Sequence, residues 1–185
     1  MRVIAGTARR LNLKTPPGLD TRPTIDRIKE TLFNILAPDI PGCRFLDLFS
    51  GSGSIGIEAL SRGAIFSAFV DNNPKAVSCI RENLEHTHLD QNALVLQKNA
   101  LSAISELSFR KMTFDMVYLD PPYQAGLEQQ TLEQLAGSGI INGESLIIIE
   151  ADIHNNMEFL ENLPFDITRE KEYKTNKHVF LRLHE

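Results

Sequence analysis

The stretch Phe45-Leu-Asp-Leu-Phe-Ser-Gly-Ser-Gly-Ser-Ile-Gly56 decides the fold. An apolar run from Phe45 to Phe49, broken only by Asp47, ends in Ser50-Gly51-Ser52-Gly53-Ser54, and a helix-like stretch begins at Ile55. This is the pattern of a buried strand, a tight glycine turn and a helix N-terminus. Gly51 and Gly53 lack Cβ, so the chain can turn sharply and a ligand can lie against its backbone. The helix start adds free N–H groups and a partial positive charge, which suit a polar or anionic ligand. Gly51, Gly53 and Gly56 also satisfy G-x-G-x-x-G, the dinucleotide fingerprint, which alone is too common to name a ligand. Asp47 leans elsewhere. A nicotinamide-binding strand is usually apolar throughout, whereas a carboxylate beside the turn suits a ligand carrying a cationic amino group. A strand–turn–helix without any ligand is the plain alternative, and a buried acid beside the glycines argues against it.

Outward from this unit, Ile55–Arg62 reads as a short helix closed by Gly63, and Ile65–Val70 as a second buried strand ending at Asp71. Asp71 follows Gly53 by 18 residues, near the spacing of an acid that grips ribose hydroxyls at the end of a second strand. The plain alternative makes Asp71 the cap of the helix Pro74–His86. Ala93–Lys98 is a third strand, and Asn99-Ala100 after it is placed to offer an amide and a backbone N–H to an adenine edge. Ala100–Leu107 and Leu127–Leu135 are helical. Ser145–Ile149, Phe165–Arg169 and His178–Leu183 read as strands, the last two antiparallel around a turn at Lys174–Lys177. Strands alternating with helices predict a doubly wound α/β sheet.

The strand Phe114–Leu119 delivers a second informative stretch, Asp120-Pro121-Pro122-Tyr123. Two prolines fix φ and remove two donors, leaving carbonyls free to accept. Asp120 adds a carboxylate and Tyr123 a flat ring. An exocyclic amine on a base needs this combination: acceptors for its hydrogens turn the nitrogen lone pair outward while the ring stacks on the base. The alternative is a proline-rich loop with a packing tyrosine, but the tetrad lies at the strand end where α/β proteins bind ligands.

With 185 residues and 42% apolar composition, the chain is long enough for one α/β core. Cys43 and Cys79 lack metal-ligand or CxxC spacing and read as reduced core thiols of a cytoplasmic protein. His86 and His88, two apart, do not share a helix face, so no metal is expected. No apolar run reaches membrane-span length and the first residues do not open a signal peptide. The net charge of −5 argues by itself against nucleic acid, but its distribution does not. Residues 1–29 hold seven basic and two acidic residues, a balance of +5 that leaves −10 for the rest. Arg2–Gly6 and Leu11–Thr15 predict a hairpin with Arg9 and Arg10 at its tip, and Pro16-Pro17-Gly18 breaks the chain after it. Arg9, Arg10, Lys14 and Arg22 in residues 1–22 are thus candidate phosphate contacts, against the alternative of a solvated tail. A helix follows, with Thr24 as its N-cap, Ile25, Ile28, Leu32, Ile35 and Leu36 as its buried stripe, and residues 23–185 forming the core.

Taken together, Leu46-Asp47-Leu48-Phe49-Ser50-Gly51-Ser52-Gly53 and Asp120-Pro121-Pro122-Tyr123 resemble the S-adenosylmethionine-dependent amino-methyltransferases. Arg2-Val-Ile-Ala-Gly6, Thr21-Arg22-Pro23-Thr24 and Glu58-Ala-Leu-Ser-Arg-Gly-Ala64 are similar to one branch of them, the bacterial RsmD-like enzymes that methylate the N2 amine of a guanine in 16S rRNA. The resemblance covers essentially the whole chain. It implies a Rossmann-like fold with a seven-stranded sheet of order 3-2-1-4-5-7-6. It implies Asp47, Phe49, Ser50, Gly51, Ser52 and Gly53 around the methionine part of S-adenosylmethionine, Asp71 and Asn72 at the ribose, and Asn99 and Ala100 at the adenine, where many relatives carry Asp in place of Asn99. Arg22 and Thr24 would lie near the same cofactor. Asp120 and Pro121 would hold the guanine amine, Pro122 would shape the loop, and Tyr123 would stack. The implied partner is 16S rRNA, naked or within a 30S particle, met by a monomer without a metal. Adenine N6, cytosine N4 and protein glutamine amides are served by the same tetrad type and stay open as acceptors. A nicotinamide oxidoreductase would use the glycines but leave the tetrad unexplained, and an RNA-binding module without chemistry would not need Asp47, Asp71 and Asp120.

Overall fold

The computed structural model describes residues 1–16, 23–122 and 126–184, with the backbone alone at 23–25. Arg44–Leu48 (β1), Phe66–Asp71 (β2), Ala93–Gln97 (β3), Met116–Leu119 (β4) and Leu146–Asp152 (β5) run parallel. Phe165–Glu172 (β6) and Asn176–Leu183 (β7) join antiparallel, giving the order β3-β2-β1-β4-β5-β7-β6. This is the doubly wound, Rossmann-like sheet that the sequence predicts. The helices are Pro23–Leu36 (α1), Ser54–Ser61 (α2), Pro74–Thr87 (α3), Ala100–Phe109 (α4) and Leu127–Ser138 (α5). None is long and apolar enough to cross a membrane among the described residues.

The central strands are buried on both faces, which is why they read as nearly continuous apolar runs. One core holds Leu46, Leu48, Val70 and Leu119 against α4 and α5; the other holds Phe45, Phe69, Tyr118 and Ile148 against α1, α2 and α3. Strand alternation puts Asp47 on the second face, beneath α2. There a Cβ on Gly56 would fall 2.4 Å from Phe69 Cε1 and 2.8 Å from Ser67 Oγ. The third glycine of the motif therefore serves close packing of α2 on β2.

Several local expectations change. α1 begins at Pro23, so Thr24 lies inside its first turn and is not the cap; proline suits this first position because its missing N–H had no partner to lose. Asn73 caps α3, accepting from Lys75 N at 2.9 Å, so Asp71 is released from that task. The two N-terminal strands of the expected hairpin reduce to one antiparallel bridge, Arg2 with Asn12. Instead of extending outward, the segment is stitched to the core. Val3, Ala8 and Leu13 are buried. Thr7 N donates to Ser61 O at 2.8 Å, and Ala8 N to Ser61 Oγ at 3.0 Å. β6 and β7 run longer than their apolar pattern; β6 is an edge strand, and its exposed Asp166, Arg169, Glu170 and Glu172 guard it against pairing with another chain.

Candidate active site

The carboxyl ends of β1, β2, β4 and β5 converge on one side of the sheet. Phe49 follows β1, and its φ of +65° lies in the left-handed region that a large side chain seldom adopts. The turn then passes Gly51 and Gly53, at φ +55° and +76°. Gly51 N donates to Asp71 Oδ2 at 2.9 Å and Asn73 N to Asp71 Oδ1 at 2.8 Å, so Asp71 holds the turn and the start of α3 while each oxygen keeps a free lone pair. Ser50 ties β1 to β2: its hydroxyl donates to Asp47 O at 2.6 Å and accepts from Val70 N at 2.9 Å. Its contribution to any ligand is therefore through backbone and shape.

Asp47 is 1% exposed. Its Oδ2 accepts from Gly56 N at 3.0 Å, within the first turn of α2, while its buried Oδ1 has no partner. Burial pushes this carboxyl up to about 7, against the lowering effect of the Gly56 hydrogen bond. Asn99 caps α4 by accepting from Ser102 N at 2.8 Å. The cap fixes which end of the amide faces the helix and leaves the NH2 as the group offered outward, a donor where an Asp would accept.

Two cavities flank Phe49 and Asp120. The larger, about 520 Å³, is lined by Asp71, Asn72, Asn99, Ala100 and Pro121 among others. The smaller, about 230 Å³, is lined by Asp47, Gly51, Ser52, Tyr118 and Glu150. Phe49 and Asp120 belong to both walls. The larger alone is within the range of small-molecule sites. The two share Phe49 and Asp120, so they adjoin at the carboxyl end of the sheet.

Asp120 is open on the cavity side yet ringed by protein on the others. Desolvation, then the charges of Glu150 and Asp47, hold its carboxyl well above the ordinary range. Leu119 pairs with Ile149, so Asp120 and Glu150 leave neighbouring strands side by side. Glu150 itself is fixed. Tyr118 Oη donates to its Oε2 at 2.6 Å and Asn176 Nδ2 to its Oε1 at 2.5 Å. His178, opposite it in the β5–β7 register, approaches with Nε2 at 3.5 Å. Burial pushes Glu150 up, but these three neighbours outweigh burial and hold the carboxyl below its ordinary value.

Of the residues singled out in the sequence, Asp47, Phe49, Gly51, Ser52, Asp71, Asn72, Asn99, Ala100 and Asp120 to Pro122 line these cavities, as does Ser50. Arg22 and Tyr123 lie outside the described residues. Arg9 and Arg10 instead line a separate groove with Arg2 and Arg27. Lys14 points to α3, where Nζ meets Glu82 Oε2 at 2.7 Å. No cluster of three or more His, Cys, Asp or Glu suited to a metal occurs among the described residues. No motif in the sequence singles out Tyr118, Glu150 or His178 as site residues. The signal was present for one of them: the run Leu146-Ile-Ile-Ile-Glu150 ends in an acid at the level where Val117-Tyr-Leu-Asp120 does.

A sheet of this order, with a glycine turn after β1, an acid ending β2 and Asp-Pro-Pro after β4, defines the S-adenosylmethionine-dependent methyltransferase fold. The model of the family described as "Conserved hypothetical protein 95" matches residues 1–182, and the chain belongs to that family. A Bacillus subtilis protein assigned as an rRNA methyltransferase, YlbH, is 38% identical over 152 residues, 82% of this chain and 83% of its own length. Ribosomal RNA small subunit methyltransferase D of Escherichia coli is 36% identical over 157 residues, covering 85% of this chain and 77% of its own. The solved structure of yhhF from Escherichia coli, assigned as a methyltransferase, superposes with a TM-score of 0.83 at 33% identity, over 100% of this chain and 98% of that one.

Proposed function

We propose that this chain transfers a methyl group from S-adenosylmethionine to the exocyclic N2 amine of a guanine in the 16S rRNA of the small ribosomal subunit. The observation that carries the reading is the pair of cavities sharing Asp120, one lined by Asp71 and Asn99, the other by Asp47, whose Oδ1 has no partner. Adenosine fits the first, with Asp71 accepting from the ribose hydroxyls. The methionine end fits the second, and the join of the two falls beside Asp120. The small-subunit rRNA methyltransferases among the relatives support the substrate class.

When bound, S-adenosylmethionine supplies a methyl carbon on a sulfonium, electrophilic enough that the protein chiefly positions and orients. The Asp120 carboxylate and the Pro121 carbonyl accept the two N–H groups of the guanine amine and aim its lone pair at that carbon. Asp120 then takes the proton that the new N–C bond releases, a task suited to a carboxyl already held above the ordinary range. Tyr123 is the stacking platform for the base. No covalent enzyme intermediate is needed.

The deciding experiment is transfer of labelled methyl from S-adenosylmethionine to 16S rRNA, 30S particles and DNA, followed by nucleoside analysis. N2-methylguanosine from a ribosomal substrate is the expected product; methylated adenine or cytosine would overturn the acceptor. Asp71→Ala is expected to weaken S-adenosylhomocysteine binding by about tenfold or more in calorimetry, because hydrogen bonds to a carboxylate and the Gly51 turn are lost together. An unchanged Kd would remove Asp71 from the site. The groove of Arg2, Arg9, Arg10 and Arg27 is the candidate phosphate track. Arg9→Ala with Arg10→Ala should weaken RNA binding and flatten its dependence on log salt by about two; an unchanged slope would detach the groove from RNA.

A further inference from the structure

We propose that Glu150, with Asp47, holds the α-ammonium group of the cofactor's methionine end inside the 230 Å³ cavity. This rests on the cofactor assigned above and adds to it a residue on β5. The cavity receives three carboxylates, from Asp47, Asp120 and Glu150, and no Lys, Arg or His side chain is among the described residues lining it. Asp47 Oδ1 is buried without a partner. The neighbouring buried ammonium, Lys29, is engaged elsewhere, 2.7 Å from Arg2 O and 3.3 Å from Glu58 Oε2. Carboxylates gathered out of water need a cation or they must take up protons. His178 Nε2 stands 3.5 Å from Glu150 Oε2 and Met1 lies on the cavity wall, but no described group bonds Asp47 Oδ1, which is left as the acceptor for an ammonium on the ligand.

The two acids have complementary constraints. Asp47 is held through Oδ2 by Gly56 N, which leaves Oδ1 for a donor. Glu150 is clamped by Tyr118 and Asn176 on its two oxygens, so its position is set before any ligand arrives while each oxygen keeps a lone pair. Asp120, on the wall shared by both cavities, is left for the acceptor amine. A primary ammonium carries three hydrogens in a compact group and suits acceptors converging from two strands; the sulfonium carries none.

The test is calorimetric titration of the full chain and its Glu150→Gln variant with S-adenosylhomocysteine and with its analogue lacking the α-amino group. The variant is expected to bind S-adenosylhomocysteine about tenfold more weakly, as for loss of a charged hydrogen bond. Its affinity for the des-amino analogue should stay within about twofold of the parent's. Equal losses for both ligands, or no loss for either, would overturn the assignment. Failure of the parent chain to bind S-adenosylhomocysteine at all would instead overturn the cofactor reading on which it stands. Glu150→Asp retracts the charge by one methylene, and its preference for the amino ligand should fall between those of the parent and the Gln variant. Should Gln at this position prevent folding, an unchanged preference in the Asp variant overturns the proposal by itself.

Discussion

Asp120→Asn is expected to lower methyl transfer to rRNA by about a thousandfold while leaving the Kd for S-adenosylhomocysteine within about threefold, and to raise the melting temperature of the free protein at pH 7. The first effect follows from the role of the carboxylate. An amide keeps one acceptor oxygen but turns a donor toward the guanine amine and cannot take its proton. The second follows from electrostatics. Asp120 sits beside Glu150 and Asp47, and its folded-state carboxyl is held well above the ordinary value by desolvation and by those charges. A carboxyl raised on folding costs stability as pH climbs from the unfolded value of about 4, because the unfolded chain ionises first. The gap in melting temperature between variant and parent should therefore be small near pH 4 and widen toward pH 7. A variant that melts lower at every pH would make Asp120 a structural residue. Collapse of cofactor binding in step with turnover would move it from the acceptor to the cofactor. Higher stability together with lost turnover would be the usual trade at a preorganised site.

What was legible in the sequence follows from which forces are local. The seven strands and five helices of the described residues announce themselves because the central strands are largely apolar and each helix carries a stripe, a cap or a proline. Asp47, Asp71 and Asp120 were legible as acids ending or interrupting apolar strands, where burial without purpose is costly. Glu150 has the same signature at the end of Leu146–Ile149 but no motif around it, and only the pairing of Leu119 with Ile149 brings it beside Asp120. His178 and Asn176 meet it through an antiparallel register that no short pattern encodes. In the N-terminal segment the antiparallel approach of its two runs was legible, and it survives as the bridge of Arg2 with Asn12. Its docking was not, because that is set by an acid more than 50 positions away, Glu58.

Glu58→Gln should destabilise the protein by about 3 kcal/mol, a fall of about 10 °C in Tm. Glu58 is 0% exposed in a short helix of mostly apolar residues. Its Oε2 accepts from Ile4 N at 2.8 Å, and its Oε1 from Ala5 N at 3.0 Å and Arg62 Nε at 2.8 Å. Lys29 Nζ, 2% exposed as a residue, lies 3.3 Å away. Burial pulls the Lys29 ammonium below its ordinary value and Glu58 opposes that pull. A glutamine is the same size, yet it removes the charge that compensates Lys29 and turns an NH2 toward a backbone or guanidinium donor. Breaking one half of a buried pair costs far more than the pair contributes when intact. Lys29→Met in the Glu58→Gln background should therefore recover part of the loss, which a purely steric account would not predict. Hydrogen exchange should report the same event locally, with Ile4, Ala5 and Ala8 amides losing protection before the sheet does. A Tm within about 3 °C of the parent would mean that the node is not holding the segment. If it holds, Arg9 and Arg10 ride on a rigid platform beside α1, and RNA affinity in the Gln variant should drop without either arginine having been touched.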